Sequence, residues 1–159
     1  YLEQEDNPLA IRMQFRVDGK LQTDALLAQR IRESKGRLLL LVHGSCMNDL
    51  QWLQPNGHDH GAALMEDSDL SPIYLHYNSG LHISDNGKLL ASHLNRLAGL
   101  SQHETLALHI VAHSMGGLVV RSACHYAASD PDQFDDNGWL DKLQKVVFLG
   151  SPYHGALLE

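Results

Sequence analysis

The stretch that most constrains the fold runs from Leu106 to Ala127 and reads LALHIVAHSMGGLVVRSACHYA. An apolar run of strand length leads into Ser114, and the apolar residues after it recur at helical spacing. Small residues flank the serine, with Ala112 two positions before it and Gly116 and Gly117 after it. Larger side chains there would collide with a neighbouring strand or helix. The pattern therefore predicts a strand, a sharp turn and a helix, with the serine at the apex.

Three further apolar segments of strand length start near Leu38, Pro72 and Lys145. Their starts and that of the Leu106 strand lie about 34 to 39 residues apart, with helix-like segments between them, as repeated strand–helix–strand units require. The continuous run LLLLV, 38–42, is typical of a central parallel strand covered on both faces. The sequence predicts an α/β fold, a three-layer sandwich around a mostly parallel sheet.

The remaining segments fit around this framework. Residues 11–17 alternate as a half-buried strand that ends at the turn signal Asp18-Gly19. Residues 21–31 have helical periodicity, and Thr23 is a candidate N-cap. Residues 45–69 predict an irregular loop with a short helix at 62–65. A helix is expected at 86–100, and a short one at 139–143.

Composition excludes several classes of function. The 159 residues are 43% hydrophobic with a net charge of −7, and Lys and Arg do not cluster, which disfavours nucleic-acid binding. The apolar runs are too short for a transmembrane segment. Two cysteines, Cys46 and Cys124, are too few for a disulfide framework, and this favours free thiols and a cytoplasmic location. The chain starts with Tyr1, and we expect residues 1–159 to be one N-terminal and central portion of a larger domain.

Ser114 has two interpretations, a helix N-cap or a catalytic nucleophile. The strand before it, the small flanking residues and the paired glycines favour the nucleophile. His43-Gly44, at the end of the 38–42 strand, is a second signal, because this position can supply part of an oxyanion hole. The alternative is a plain turn that ends the strand.

Four motifs, VHG at 42–44, YNSG at 77–80, AHSMGG at 112–117 and LGSPYHGA at 149–156, occur in this order. Together they resemble the lipase and esterase branch of the α/β-hydrolases, in particular triacylglycerol-lipase-like and PGAP1-like proteins. The resemblance covers residues 38–156, with Ala112 in place of the first glycine of the nucleophile elbow G-x-S-x-G. It implies hydrolysis of a carboxylic ester, of a small molecule or a lipid, on Ser114. It also implies that the backbone N–H groups of Ser45 and Met115 form the oxyanion hole.

The other histidines have structural interpretations. His113, beside Ser114 within the elbow motif, is expected to turn away from the nucleophile and support the turn. His154 is expected at the rim of the site. His58-Asp59-His60 could begin a metal site, but no third ligand is apparent, and we expect neither a metal nor another cofactor.

The resemblance implies a catalytic acid and a histidine that follow the serine in the chain, on loops after later strands. Residues 115–159 contain one predicted strand, so we expect both groups beyond Glu159. The aspartates at 130–141 are interpreted as a solvated loop and helix. Acyl transfer or amide hydrolysis on the same fold, and a non-catalytic interaction domain, remain alternatives. The oligomeric state is open.

Overall fold

A computed structural model describes residues 11–101, 105–129 and 138–154. Six strands form one sheet: β1 (Gln14–Val17), β2 (Lys20–Leu21), β3 (Arg37–Val42), β4 (Ser71–His76), β5 (Ala107–His113) and β6 (Leu143–Leu149). The helices are α1 (Asp24–Glu33), α2 (His60–Ser68), α3 (Ile83–Gly99) and α4 (Met115–Ser129), with the 3-10 helices η1 (Asp49–Trp52) and η2 (Trp139–Lys142).

The strand order across the sheet is β2-β1-β4-β3-β5-β6. Strands β4, β3, β5 and β6 are parallel, and β1 is antiparallel to both β4 and β2. The predicted mostly parallel α/β sheet is confirmed. Because the carboxyl ends of parallel strands meet at one edge of a sheet, the residues that follow β3, β4, β5 and β6 lie along the same edge.

Alternate residues of the parallel strands pack into two hydrophobic cores, one on each face of the sheet. The sheet is therefore the middle one of the three predicted layers. Leu38, Leu40 and Val42 of β3 belong to a large core that also contains buried residues of α1, α3 and α4. Leu39 and Leu41, which point the other way, pack with Trp52 and Tyr74 in a smaller core. The loop between β3 and β4 therefore covers the second face of the sheet.

Helices α3 and α4 pack closely because Gly87 of α3 lies directly against Ser122 of α4. A Cβ atom placed on Gly87 would come within 2.5 Å of the Ser122 Cβ atom. This contact aligns α4, which begins immediately after Ser114, with the helix that precedes β5.

Several boundaries differ from the sequence prediction. The first strand begins at Gln14 and not at Ile11, whose side chain is 43% exposed. The helix predicted at 62–65 extends over His60–Ser68, because the Asp59 side chain caps it by accepting from the Ala62 N–H at 2.8 Å. Strand β2, only two residues long, lacks a sequence signal of its own.

The predicted helix at 86–100 starts three residues earlier, at Ile83. Asn86 lies in its first turn and is 1% exposed. Its side-chain amide donates to the Asn78 carbonyl at 2.9 Å, which ties the YNSG turn to the helix. A polar residue that looked like a helix start is therefore a buried bridge between the turn and the helix.

Strand β6 presents apolar side chains on both faces. Val147, Phe148 and Leu149 are 38%, 37% and 42% exposed. Strand β6 is the last strand in the order β2-β1-β4-β3-β5-β6, and the described part of the chain leaves it half covered. Among residues 11–101, 105–129 and 138–154, none of the helices combines the length and the apolar character needed to cross a bilayer.

Candidate functional site

Ser114 occupies the turn between β5 and α4 with a left-handed backbone, φ 51°. This conformation costs a non-glycine residue about 1–3 kcal/mol and persists only where the surroundings impose it. Two hydrogen bonds do so: the Ser114 N–H donates to the Leu149 carbonyl at 2.8 Å, and its carbonyl accepts from the Gly117 N–H at 3.0 Å. The serine is thus fixed at the apex of a strained strand–turn–helix.

The small residues around Ser114 are required by close packing. A Cβ atom on Gly116 would lie 2.5 Å from the His43 carbonyl oxygen and 2.8 Å from that of Val42. A Cβ atom on Gly44 would lie 2.9 Å from the Ser114 Cβ atom. The first turn of α4 therefore rests on the end of β3, and Gly44 lies beside the serine.

The third side of the turn is formed by the residues after β6. Gly150 has a left-handed φ of 63°, and Ser151 packs against Gly117, where a Cβ atom would overlap its hydroxyl. The Ser151 Oγ atom is buried and has no hydrogen-bond partner among the described residues. The LGSPYHGA motif thus contributes its Gly-Ser pair to the packing of the elbow.

His43 is a fully buried support of the site. Its Nδ1 donates to the Gly44 carbonyl at 2.9 Å, and its ring stacks on Tyr77 with centroids 4.3 Å apart. The Tyr77 hydroxyl donates to the His43 carbonyl at 2.8 Å. Burial lowers the pKa of His43, so its imidazole is neutral near pH 7.

The lowered pKa of His43 predicts a loss of stability in mild acid. In the unfolded chain His43 binds a proton near pH 6.5, whereas in the folded chain it binds one only at lower pH. The free energy of unfolding therefore falls as the pH decreases below 6.5. One such histidine contributes at most about 1.4 kcal/mol for each pH unit. Urea unfolding at pH 7.5 and 5.5 should show a smaller acid-induced loss for His43→Asn than for wild type. Equal losses would contradict this account.

His113 precedes Ser114 and is the last residue of β5, and its side chain lies on one face of the sheet. It pairs with Leu149 across β5 and β6 and points to the same side as Val111, because side chains alternate along a strand. Its Nδ1 is buried without a partner among the described atoms.

Of the two expected oxyanion donors, one follows Ser114 in the chain and the other follows Gly44, which lies beside Ser114. Met115 is the first residue of α4, and the N–H groups of a first helical turn have no partner within the helix. Ser45 follows Gly44, which contacts Ser114, and is itself followed by Cys46 with a left-handed φ of 57°. Two such N–H groups can stabilise the negative charge that develops on an attacked carbonyl.

Sequence reasoning missed a cluster at the same edge of the sheet, in which His76 and Arg16 surround the buried carboxylate of Asp49. Asp49 is 5% exposed, and its Oδ1 accepts from His76 Nδ1 at 2.7 Å and lies 3.5 Å from Arg16 Nη1. These residues belong to η1, β4 and β1, far apart in the sequence. A lone aspartate in a polar loop carries no signal that could have identified the cluster.

The remaining expectations concern the rim and a metal. His154 is exposed, next to Tyr153, whose ring lies under the Arg121 guanidinium at 4.8 Å. The His58 and His60 rings lie 5.0 Å apart, and no group of three potential metal ligands occurs among the residues that the structure covers. Asp141 lies in η2, exposed, whereas the other aspartates of 130–136 fall outside the described residues.

A cavity of about 450 Å³ opens on the second face of the sheet, beside the elbow. Two neighbours of Ser114 line this cavity. His113 precedes Ser114 in the chain, and the Leu149 carbonyl accepts the hydrogen bond of the Ser114 N–H. Most of the remaining wall is apolar and includes Leu41, Trp52 and Val111.

A family model described as Domain of unknown function (DUF7379) matches residues 11–159. The chain belongs to this family. No curated protein sequence matches the DUF7379 chain.

Among solved structures, the fold is similar to that of a Bacillus licheniformis lipase, BlEst2, in a propeptide form and in a mature form. Both comparisons give a TM-score of 0.59 at 20% identity over 78% of this chain. They cover 24% of the propeptide-form chain and 44% of the mature-form chain, so the DUF7379 chain spans less than half of either. This similarity agrees with the predicted α/β fold. The comparisons concern no PGAP1-like protein, and that narrower resemblance stays a prediction.

Proposed function

We propose that the DUF7379 chain carries the nucleophile half of a serine hydrolase site that acts on carboxylic esters. The observation that carries the proposal is the backbone of Ser114, which is held left-handed at φ 51° between a parallel strand and a helix. A serine used only as a helix cap needs an extended backbone, not this strained one. The lipase-like fold of the chain agrees with this function.

In the proposed reaction, the Ser114 hydroxyl attacks the ester carbonyl carbon while a base takes its proton. The carbonyl oxygen becomes negatively charged and accepts hydrogen bonds from the Ser45 and Met115 N–H groups. One such donor is worth about 3–4 kcal/mol of barrier in comparable sites. Collapse of the tetrahedral intermediate expels the alcohol, and water then releases the acid from Ser114.

The histidine–aspartate pair in the described chain is too distant to serve as the base of Ser114. His76 ends β4, whereas Ser114 follows β5, and β3 lies between these two strands. Two strand spacings amount to about 10 Å. As the resemblance implies, we propose that the catalytic imidazole and acid lie in polypeptide that follows Glu159.

His43 and His113 are also poor candidates for the base. The Nδ1 of His43 donates a hydrogen bond to the Gly44 carbonyl, and the His43 ring stacks on Tyr77. His113 points from the face of the sheet. Both are instead proposed, with Gly44 and Gly116, as supports of the turn.

The apolar cavity beside the elbow favours an ester with an apolar acyl group. Leu41, Val111 and Leu149 would bury such a group, and each buried CH₂ contributes about 0.8 kcal/mol. Acyl transfer and amide hydrolysis use the same nucleophile and differ in the acceptor or the leaving group.

A fluorophosphonate probe tests the nucleophile, because it reacts covalently with activated serines. We expect the whole protein to be labelled at Ser114, as located by peptide mass spectrometry. Residues 1–159 alone should be labelled far more slowly, since an unassisted serine is a weak nucleophile. A folded whole protein without an adduct at Ser114 would favour the non-catalytic interaction domain.

A further inference from the structure

The turn that carries Ser45 is held at both ends by β4 and the residue after it. At its start, the His43 carbonyl accepts from the Tyr77 hydroxyl at 2.8 Å. At its end, the Asp49 carboxylate accepts from His76 Nδ1 at 2.7 Å. Residues 44–48 lie between these two anchors and lead from the end of β3 to the start of η1.

The Asp49 anchor is strong because it is buried and charge-assisted. The side chains of Asp49 and His76 are 2% and 17% exposed, and the Arg16 guanidinium lies 3.5 Å from the same carboxylate oxygen. Loss of a partner would leave the buried Asp49 carboxylate less well compensated in a medium that solvates charge poorly. The end of the turn is therefore fixed to the sheet more firmly than by loop packing alone.

The anchor is coupled to the turn through a rigid helix start. The Asn48 side chain accepts from the Leu50 N–H at 2.9 Å, and the Asn48 N–H donates to the Gln51 side chain at 2.8 Å. These bonds make 48–51 one unit, so a displacement of Asp49 moves the whole start of η1. Three residues separate Asp49 from Ser45.

We propose that Asp49 and His76 are positioning residues that fix the turn 44–48 and thereby aim the Ser45 N–H at the oxyanion. This inference rests on the proposed function, in which Ser45 is an oxyanion donor. Neither residue touches the reacting atoms, and their effect is exerted through the backbone. A displacement of about 1 Å at a catalytic group can cost about 100-fold in rate.

The test compares two substitutions of His76 in the whole protein. His76→Leu removes the donor, whereas His76→Asn keeps an N–H donor at the place of Nδ1. We expect His76→Leu to lower kcat for an ester about 10- to 100-fold with KM nearly unchanged, because the misplaced Ser45 N–H is an oxyanion donor that acts on the transition state. His76→Asn should recover most of the rate. Arg96→Leu, which breaks the exposed Arg96–Asp24 pair between α3 and α1, is the matched control and should change neither constant.

Amide hydrogen exchange gives a readout that does not depend on activity. Residues 44–48 should exchange faster in His76→Leu than in wild type, and at wild-type rates in Arg96→Leu. If His76→Leu does not fold, Asp49→Asn takes its place, with an expected fall in kcat of about 10-fold, since it keeps the shape and removes the charge.

The outcomes separate the two proposals. An unchanged kcat in a folded His76→Leu protein, or an equal loss in His76→Asn, overturns the positioning role. A wild-type protein that hydrolyses no ester and takes up no probe overturns the proposed function instead. In that case, the exchange of residues 44–48 alone decides whether the pair fixes the turn, and unchanged exchange rejects it.

Discussion

Ser114→Ala is expected to abolish ester hydrolysis by the whole protein, with kcat reduced by at least about 10⁴-fold. The substitution removes only the hydroxyl oxygen that would form the acyl-enzyme. The two hydrogen bonds that fix the residue, to Leu149 and from Gly117, use backbone atoms and remain. The oxyanion donors also remain, so a small residual rate above that of water is expected. Steady-state kinetics with an apolar ester, at equal concentrations of folded protein, measures the effect.

Ser92→Ala is the matched control for this substitution. The Ser92 hydroxyl lies on α3 and donates to the Lys88 carbonyl at 3.1 Å, far from the elbow in the chain and exposed. It should leave kcat unchanged. If Ser114→Ala kept more than about a tenth of the wild-type rate, Ser114 would not be the nucleophile, because removal of a nucleophilic serine lowers kcat by several orders of magnitude.

The framework of this fold could be predicted because its signals are local. The LLLLV run of β3 and the pattern around Ser114 each contain, within a few residues, the periodicity that decides strand or helix. The glycines at 116 and 117 are explained by neighbours that the pattern implied but could not name, the β3 carbonyls and Ser151. What the sequence supplied was the need for small residues, and what the structure added was the atoms that impose it.

The missed features depend on residues that meet only in three dimensions. Asp49, His76 and Arg16 come from a loop and two strands, and their contact requires β1 to lie antiparallel beside β4. The extent of α2 was missed for a related reason. Asp59 acts both as its cap and as an acceptor from the Tyr74 hydroxyl at 2.6 Å, and the second role depends on the position of β4.

The second large effect is expected at Gly116, where an added methyl group meets backbone and not a flexible side chain. A Cβ atom there would lie 2.5 Å from the His43 carbonyl oxygen and 2.8 Å from that of Val42. Val42 is fully buried and belongs to the central strand β3, so these carbonyls cannot withdraw. The first turn of α4 must move instead, and it carries Ser114 and Met115 with it.

Gly116→Ala is therefore expected to lower the free energy of unfolding by about 1–3 kcal/mol, as overpacking does in rigid sites. It should also reduce kcat about 100-fold, because both the nucleophile and an oxyanion donor are displaced. Gly99→Ala near the end of α3 is the control, since a Cβ atom there meets nothing within 4 Å. That substitution should stabilise the protein by about 0.4–1 kcal/mol. Urea unfolding and ester kinetics measure both variants, and a Gly116→Ala protein with wild-type stability and rate would refute the close packing of α4 on β3.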